Sequence, residues 1–166
     1  MLTLGIDPGI STTGYGLVKG EGEELLLVDY GVITPDQALP LPLKLETIYE
    51  EVQALIAHHH PSDMAVERLF FSRNVRTAFA VGQARGVVIL AAAQAGLPIY
   101  EYTPLEVKGS VVGYGRATKG QVQEMVGVLL GLDSIPQPDH AADALAVAIC
   151  HRYSIRVERA LEASEG

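Results

Sequence analysis

The stretch LTLGIDPGISTTGYGLV, Leu2 to Val18, predicts how this chain begins to fold. Leu2–Asp7 is almost entirely apolar, glycine or β-branched, which is typical of a strand buried on both faces. The turn PGIST follows it, and the alternating residues Gly14–Lys19 predict a second strand. Asp7 stands where the first strand ends. Because a buried, unpaired carboxylate is costly, Asp7 needs a cation, a hydrogen bond or exposure at the strand end.

The rest of the chain predicts an α/β fold with a five-stranded mixed sheet flanked by helices. GEGE has hairpin chemistry, and it predicts a third, antiparallel strand over Leu25–Thr34. Further strands are predicted over Met64–Leu69 and Leu97–Tyr102. Helices are predicted over Leu43–His60, Asn74–Ala95, Pro104–Val112, Lys119–Leu130 and from Pro138 and Asp139 to about Tyr153. Residues 1–155 are expected to form one domain, and the polar residues 156–166 a flexible tail.

Composition and charge limit the classes of function. The net charge of −8 argues, by itself, against nucleic acid, but residues 68–119 carry seven Lys or Arg against two acids. That uneven distribution allows one cationic face. Cys150 is the single cysteine, which excludes an internal disulfide. No secretory signal is recognised, and runs such as VVILAAA are too short for a bilayer, so we expect a cytoplasmic protein with no membrane partner.

Three acids lie in otherwise apolar segments. Asp7 ends the first strand, Glu67 lies late in the apolar strand of DMAVERLFF, and Asp143 lies in the first turns of the helix in PDHAADALAVAI. Ligands gather at the carboxyl ends of strands in open α/β sheets. For each acid alone, a helix cap or a surface strand end is an adequate explanation. The occurrence of all three on separate apolar elements favours one shared site.

The residue types of this group favour a hard cation. His140 and Asp143 are three residues apart and share a helix face, whereas Asp139 is expected to cap the helix. Carboxylates without cysteine and with at most one histidine favour Mg²⁺ or Mn²⁺ over structural zinc. Such ions usually take further ligands from water and substrate phosphate. The pattern therefore indicates phosphodiester or nucleotide chemistry, in which two ions can activate water and stabilise a leaving 3′ oxygen.

Five segments in chain order resemble the RuvC family of bacterial Holliday junction resolvases. They are GIDPG, AVERLFFSRN, GQARG, VKGSVVGYGRATKGQVQ and DHAADALAVA, within roughly residues 1–155. The resemblance implies a ribonuclease H-like nuclease domain and a homodimer with two Mg²⁺ ions per subunit, for which Mn²⁺ can substitute. It also implies the resolution of four-way DNA junctions in recombination and repair, by paired symmetric nicks that leave 5′ phosphates. The implied partner is the RuvA–RuvB branch-migration complex.

The resemblance assigns the acidic site by position. The family's first, second and last acids fall on Asp7, Glu67 and Asp143. Its third position is a departure, because many members have Asp where this chain has His140. A histidine can act as a general base or bind a metal as neutral imidazole, although Mg²⁺ prefers oxygen. The sequence leaves these two roles of His140 open, and we hypothesise that it assists attack by water.

The resemblance also implies DNA contacts. The family's stacking aromatic falls on Phe70, with Phe71 beside it, and one of the two is expected to pack in the core instead. Its basic residues near the site fall on Lys108 and Lys119, where positive charge could hold the scissile phosphate. Weaker candidates for backbone contacts are Arg73, Arg76 and Arg116. A solvated surface charge is the alternative for any of these cations.

The long helix Asn74–Ala95 carries two glycines four residues apart, Gly82 and Gly86. Each weakens a helix by about 1 kcal/mol relative to alanine, so a close contact is expected to compensate. Packing against the sheet explains this, and so does a two-fold dimer contact. A dimer would supply two equivalent sites for two equivalent strands.

Three other functions are compatible with part of the pattern. GIDPGISTTGYGLV also resembles the first phosphate loop of actin-like ATPases and sugar kinases, which need two such domains. The nuclease family that matures ribosomal RNA ends shares the G-x-D-x-G feature but does not require VERLFF or the long helix. A junction-binding module without catalysis is the third, and the presence of all three acids argues against it.

Overall fold

The computed structural model describes residues 1–21, 23–68 and 74–166. The described part contains five strands and five helices in the order β1 (Leu2–Asp7), β2 (Thr13–Glu21), β3 (Glu24–Ile33), α1 (Leu41–His59), β4 (Asp63–Glu67), α2 (Val75–Gln94), β5 (Ile99–Tyr102), α3 (Pro104–Val112), α4 (Lys119–Leu129) and α5 (Asp139–Glu165). They form one sheet of order β3-β2-β1-β4-β5. β2 is antiparallel to β1 and β3, and β4 is parallel to β1 and β5. The predicted five-stranded mixed sheet is confirmed.

The sheet separates two hydrophobic cores. Met64 and Val66 of β4 pack in the core that contains α1 and α2, whereas Ala65 packs in the core of α3, α4 and α5. This division follows from the alternation of side chains across a strand. Because both faces are covered, the central residues of β1 and β4 are apolar or glycine, and the carboxyl ends of these strands form a fixed edge on which a site can be built.

Helix α5 lies directly on β1 and β2 because three strand positions are glycine. A Cβ atom at Gly5 would overlap the carbonyl oxygen of Ala144, and one at Gly14 would overlap the carbonyl oxygen of His140. A Cβ atom at Gly16 would press on the side chain of Leu145. Any side chain at these positions would move the helix away from the sheet. The glycines therefore determine how closely the first turns of α5 approach the end of β1.

A buried polar cluster fixes a later turn of α5 to the sheet. Thr3 Oγ1 donates a hydrogen bond to Asp63 Oδ1 over 2.6 Å, and His151 Nε2 and Arg152 Nη1 lie 3.2 Å and 3.8 Å from Asp63 Oδ2. The other ring nitrogen of His151, Nδ1, is 2.7 Å from the hydroxyl of Tyr102. Burial alone would raise the pKa of Asp63, but hydrogen bonds from His151 and Thr3 and the charge of Arg152 lower it. The cluster joins α5 to the starts of β1 and β4.

Several predicted boundaries are wrong, among them those of α5 and β4. The last helix does not end near Tyr153 but continues to Glu165, where Arg156 contacts Glu23 and Arg159 contacts Met1. The N-cap of α5 is Pro138, so Asp139 is the first helical residue and makes no capping hydrogen bond. Strand β4 ends at Glu67, not at Leu69, which lies outside the described residues. The division into a domain of residues 1–155 and a flexible tail of residues 156–166 stays a prediction.

Helix α2 has the length and apolar composition of a membrane span, although the VVILAAA run within it is shorter. In this fold it is a core helix on one side, with Ala84, Val88 and Ala91 buried. Its other side exposes Val75, Phe79 and Leu90 to solvent, at 76%, 69% and 51% exposure. Helix α2 therefore has two apolar faces. One packs in the core, and the described residues leave the other exposed to solvent.

Candidate active site

Asp7 and Glu67 lie at the same edge of the sheet. Strands β1 and β4 are parallel neighbours, and Ile6 pairs with Val66. Asp7 follows Ile6 and is the last residue of β1, and Glu67 follows Val66 and is the last residue of β4. The parallel register thus brings together two side chains that are separated by much of the chain, as the sequence predicted.

Helix α5 adds two more side chains to this edge. The carboxylates of Asp7 and Asp143 and the ring of His140 offer ligand atoms that lie within 4.8 Å of one another. His140 Nδ1 is 2.8 Å from Asp7 Oδ2. Since His140 and Asp143 are three residues apart, one turn of helix directs both at the end of β1. Asp7 and Asp143 are partly buried, and His140 is exposed.

The acids repel one another. Burial raises the pKa of Glu67 to about 6, and the negative charges of Asp7 and Asp143 add to the shift, which Lys108 and Lys119 oppose. Burial and the charge of Asp143 also raise the pKa of Asp7, although the hydrogen bond with His140 acts in the opposite direction. The described cations therefore offset only part of what raises the pKa values of Asp7 and Glu67.

Two lysines stand on one side of the cluster. Lys119, the first residue of α4, has its Nζ 3.1 Å from Asp143 Oδ2. Burial lowers the pKa of Lys119, but the hydrogen bond and charge of Asp143 outweigh this, so the pKa is raised and the ammonium stays charged. Lys108 of α3 and Lys119 line one cavity of about 280 Å³, and Glu67 and Asp143 line it as well.

The two helices that carry these lysines begin at defined residues. Thr103 and Glu106 form a capping box at the start of α3, and Thr118 and Gln121 form one at the start of α4. The predicted cap at Thr118 is confirmed. Capping fixes the first turn of α4 and hence the position of the Lys119 backbone beside Asp143.

A second cavity, of about 200 Å³, lies on another side of Glu67. It is lined by Asp7, Pro8, Glu67, Arg68, Val81, Arg85 and Pro104. Arg68 and Arg85 both contact Glu101. Neither arginine was predicted from the sequence as part of the site. The sequence did contain a sign of it, because Arg85 is the one charged residue in the apolar segment AVGQARGVVIL. A charged residue alone in an apolar segment is the criterion that selected the three acids.

Of the other predicted DNA contacts, the two that the structure describes, Arg76 and Arg116, do not line either cavity. Arg76 is exposed in the first turn of α2, and Arg116 is exposed between α3 and α4. Phe70, Phe71 and Arg73 lie outside the described residues. The proposed roles of all five residues stay predictions.

The donor set fits a hard divalent cation. Carboxylate oxygens dominate it, an imidazole stands beside them, and the described site offers no thiolate. Mg²⁺ and Mn²⁺ favour such oxygen ligands, and a cation would relieve the repulsion that raises the pKa values of Asp7 and Glu67. A mixed five-stranded sheet with carboxylates at its central strand ends and lysines beside them defines a metal-dependent nuclease of ribonuclease H-like fold.

Comparison with known proteins gives the family. The model of the family described as Crossover junction endodeoxyribonuclease RuvC matches residues 3–151. The RuvC of Desulfitobacterium hafniense is 56% identical over 157 residues, 95% of each chain, and that of Syntrophomonas wolfei is 52% identical over 164 residues, 99% of this chain and 95% of the relative. The chain therefore belongs to the RuvC family of crossover junction endodeoxyribonucleases, and the resemblance seen in the motifs is confirmed.

A solved structure agrees in both fold and sequence. The structure described as T. thermophilus RuvC in complex with Holliday junction substrate superposes with a TM-score of 0.90 and 38% identity. The superposition covers 95% of this chain and 96% of the other. This agreement confirms the predicted ribonuclease H-like fold. It also argues against the ATPase and RNA-maturation functions considered from the sequence.

Proposed function

We propose that this chain resolves four-way (Holliday) DNA junctions by paired symmetric nicks at the site formed by Asp7, Glu67, His140 and Asp143. The observation that carries the proposal is the convergence of Asp7, His140 and Asp143 within 4.8 Å beside Glu67. The T. thermophilus relative, whose structure holds a Holliday junction substrate, supports the choice of substrate.

Asp7, Glu67 and Asp143 would hold the metal, with Mg²⁺ as the proposed ion, Mn²⁺ as a substitute and two ions in each subunit. Ions held there would supply an activated water and stabilise the leaving 3′ oxygen, which would leave a 5′ phosphate on the product. Asp7 can serve this site and His140 together, because Oδ2 contacts the imidazole while Oδ1 remains for a cation.

His140 acts in this proposal as the general base. If its Nδ1–H donates to Asp7 Oδ2, then Nε2 carries the lone pair that can accept a proton from water. Asp7 thereby holds the imidazole in one tautomer and orientation. The exposure of His140 allows the accepted proton to leave to solvent.

The DNA strand is held by cations around the acids. Lys119 and Lys108 face the cavity beside Asp143 and Glu67, where ammonium groups can bind the scissile phosphate and offset developing charge. Phe70 or Phe71 is proposed to stack on unpaired bases at the junction centre. Arg73, Arg76 and Arg116 are proposed to contact the backbone farther from the cut.

A homodimer is proposed to form through α2. Val75, Phe79 and Leu90 expose apolar side chains along this helix. Gly86 is also exposed, and outside its own helix backbone no atom of the described residues lies within 4 Å of the position that a Cβ atom would take. A second copy would cover this stripe and place two equivalent sites on opposing strands. Replacing Gly86 with leucine should then weaken the dimer and leave monomer abundant. An unchanged molecular mass in solution would contradict this interface.

The cellular setting follows from the family. We propose that the chain acts in the cytoplasm in homologous recombination and DNA repair, on junctions delivered by the RuvA–RuvB branch-migration complex. The acidic remainder of the surface, with a net charge of −8 for the whole chain, would keep DNA from binding outside the cationic region.

The test is cleavage of a mobile four-way junction whose opposing strands are labelled separately. We expect Mg²⁺-dependent and Mn²⁺-dependent nicks at symmetric positions, ends that a ligase can join, and no cutting with a chelator. A linear duplex of the same sequence and a structured RNA are the controls. Equal cutting of all three substrates, or nicks on one strand only, would contradict junction resolution.

A further inference from the structure

Cations stand on two sides of Glu67, and the function proposed above uses only one of them. Lys108 and Lys119 line one cavity, and Arg68 and Arg85 line the other. Glu67 and Pro104 line both cavities. A DNA strand that crosses the acids therefore has cationic side chains available in two cavities rather than one.

Arg85 is held in place but incompletely paired. It extends from α2, its Nη2 donates to Glu101 Oε1, and its side chain is only 16% exposed. Its buried Nε has no acceptor among the described residues. A buried N–H group without an acceptor is costly, so Arg85 keeps hydrogen-bonding capacity that Glu101 does not use, next to the cavity that it lines.

Arg68 contacts the other oxygen of the same carboxylate. It follows Glu67 in the chain, its backbone N–H donates to the carbonyl of Tyr102 over 2.6 Å, and its Nε lies 3.7 Å from Glu101 Oε2. Its side chain is 58% exposed. One carboxylate thus contacts two guanidinium groups, so Glu101 alone does not neutralise both. Paired guanidinium groups match the oxygens of a phosphate better than isolated ammonium groups do.

We propose that Arg68 and Arg85 bind a backbone phosphate of the cut strand that neighbours the scissile phosphate, in the cavity beside Glu67 that Lys108 and Lys119 do not line. This inference rests on the proposed function, because it assumes that a DNA strand crosses the acids. The two arginines are positioning residues. They fix the strand on the second side of the reacting phosphate, and this restricts its motion towards and away from the acids.

The first measurement is the salt dependence of junction binding, made in an Asp7→Asn background so that no cutting occurs. Arg68→Gln and Arg85→Gln should each lower affinity about tenfold and reduce the slope of log K against log salt by about one. Arg156→Gln is the matched control, since Arg156 is also exposed and paired with a glutamate, Glu23, but lies away from both cavities. Slopes equal to that of the control would overturn the proposal.

The second measurement locates the phosphate. Junctions with one neutral methylphosphonate at each position around the cut are bound by the Asp7→Asn protein and by the same protein with Arg68→Gln. We expect one methylphosphonate, next to but not at the scissile position, to weaken junction binding by the first protein and to weaken binding by the second protein less, because the second protein keeps only Arg85. An equal effect on both proteins at every position would overturn the proposal.

The controls separate the possible failures. Arg68 is largely exposed, so its variant is expected to fold even if Arg85→Gln disturbs α2, and Arg85→Lys tests whether charge alone suffices. Thermal unfolding is measured for each variant. If the wild type fails to cut the unmodified junction, the proposed function fails, while the salt slopes and methylphosphonate scan still decide the phosphate contact.

Discussion

The two ends of the contact between α5 and the sheet use similar residues with opposite electrostatics. Near the start of the helix, His140 and Asp143 meet Asp7 at the carboxyl end of β1. Farther along the helix, His151 and Arg152 meet Asp63 at the start of β4. The second cluster is fully covered by protein, whereas the first opens to cavities and solvent.

The pKa directions express the difference. Burial raises the pKa values of Asp7 and Glu67, and the repulsion between acids raises them further. At Asp63 the hydrogen bonds from His151 and Thr3 and the charge of Arg152 outweigh burial and lower the pKa. At one end of α5 the fold supplies enough hydrogen bonds and positive charge to lower the pKa of a buried carboxylate. At the other end it does not, and the pKa values of the acids stay raised. We infer that an external cation completes the open end.

The largest expected effect comes from the open end. Asp143→Asn should lower the cleavage rate of a four-way junction about a thousandfold, because the residues that hold the metal lose one carboxylate. Junction affinity should stay within a few fold, since the cationic residues are unchanged. The measurement is single-turnover cleavage beside direct binding in a chelator. A variant that cuts at even a tenth of the wild-type rate would remove Asp143 from the catalytic group.

The covered end should behave in the opposite way. Asp63→Asn removes the negative charge that faces Arg152 and His151, and breaking a buried ion pair typically costs about 3–5 kcal/mol of unfolding free energy. Below the melting temperature, the cleavage rate at saturating Mg²⁺ should stay within a few fold of the wild type. Urea unfolding and the single-turnover assay test the two parts, with the exposed Glu162→Gln as control. A stable variant that cannot cut would contradict a purely structural cluster.

The sequence predicted the open end better than the covered end. Asp7, Glu67 and Asp143 each stand alone in an apolar segment, so the cost of burying them was visible without coordinates. Asp63 follows Pro61 and Ser62 and has the composition of a loop, and nothing in the chain links it to His151 and Arg152. Only the parallel pairing of β1 with β4, covered by α5, brings these residues together.

The sequence predicted a helix end that depends on neighbouring residues and missed features that depend on residues far along the chain. Thr118 caps α4 through a bond to a residue three positions away, which is local information. The continuation of α5 to Glu165 is accompanied by contacts of Arg156 and Arg159 with Glu23 and Met1, which are distant in sequence. Likewise, Gly14 looked like a strand residue with no special role, because the carbonyl of His140 that requires it lies far along the chain.

His140 gives the next largest effect, and it separates the two roles that the sequence left open. A general base must be unprotonated, so wild-type cleavage at saturating Mg²⁺ should fall as pH falls. His140→Asn should cut about a hundredfold more slowly and lose this pH dependence. His140→Asp should restore metal binding if the residue is mainly a ligand. Retention of the wild-type pH profile by His140→Asn would exclude the role of general base.

Glu67 gives the smallest effect, and it tests the electrostatic comparison directly in metal-free protein. Its folded pKa of about 6 lies above its ordinary value of 4.5, so its contribution to stability is fully present below pH 4.5 and is lost as pH rises through about 6. Glu67→Gln should therefore match the wild type near pH 4.5 and melt about 2–4 °C higher at pH 7.5.

Added Mg²⁺ should cancel or reverse that difference, because only the ionised wild-type carboxylate gains from the cation. The sign is opposite at Asp63, whose lowered pKa gives stability that is present above its ordinary value of 3.8 and is lost only as pH falls through the folded pKa. Melting temperatures of both variants from pH 4 to pH 8, with and without Mg²⁺, make the comparison. If Glu67→Gln melts lower than the wild type at pH 7.5 in a chelator, the acids of the open end are already compensated by protein, and no external cation is needed to complete them.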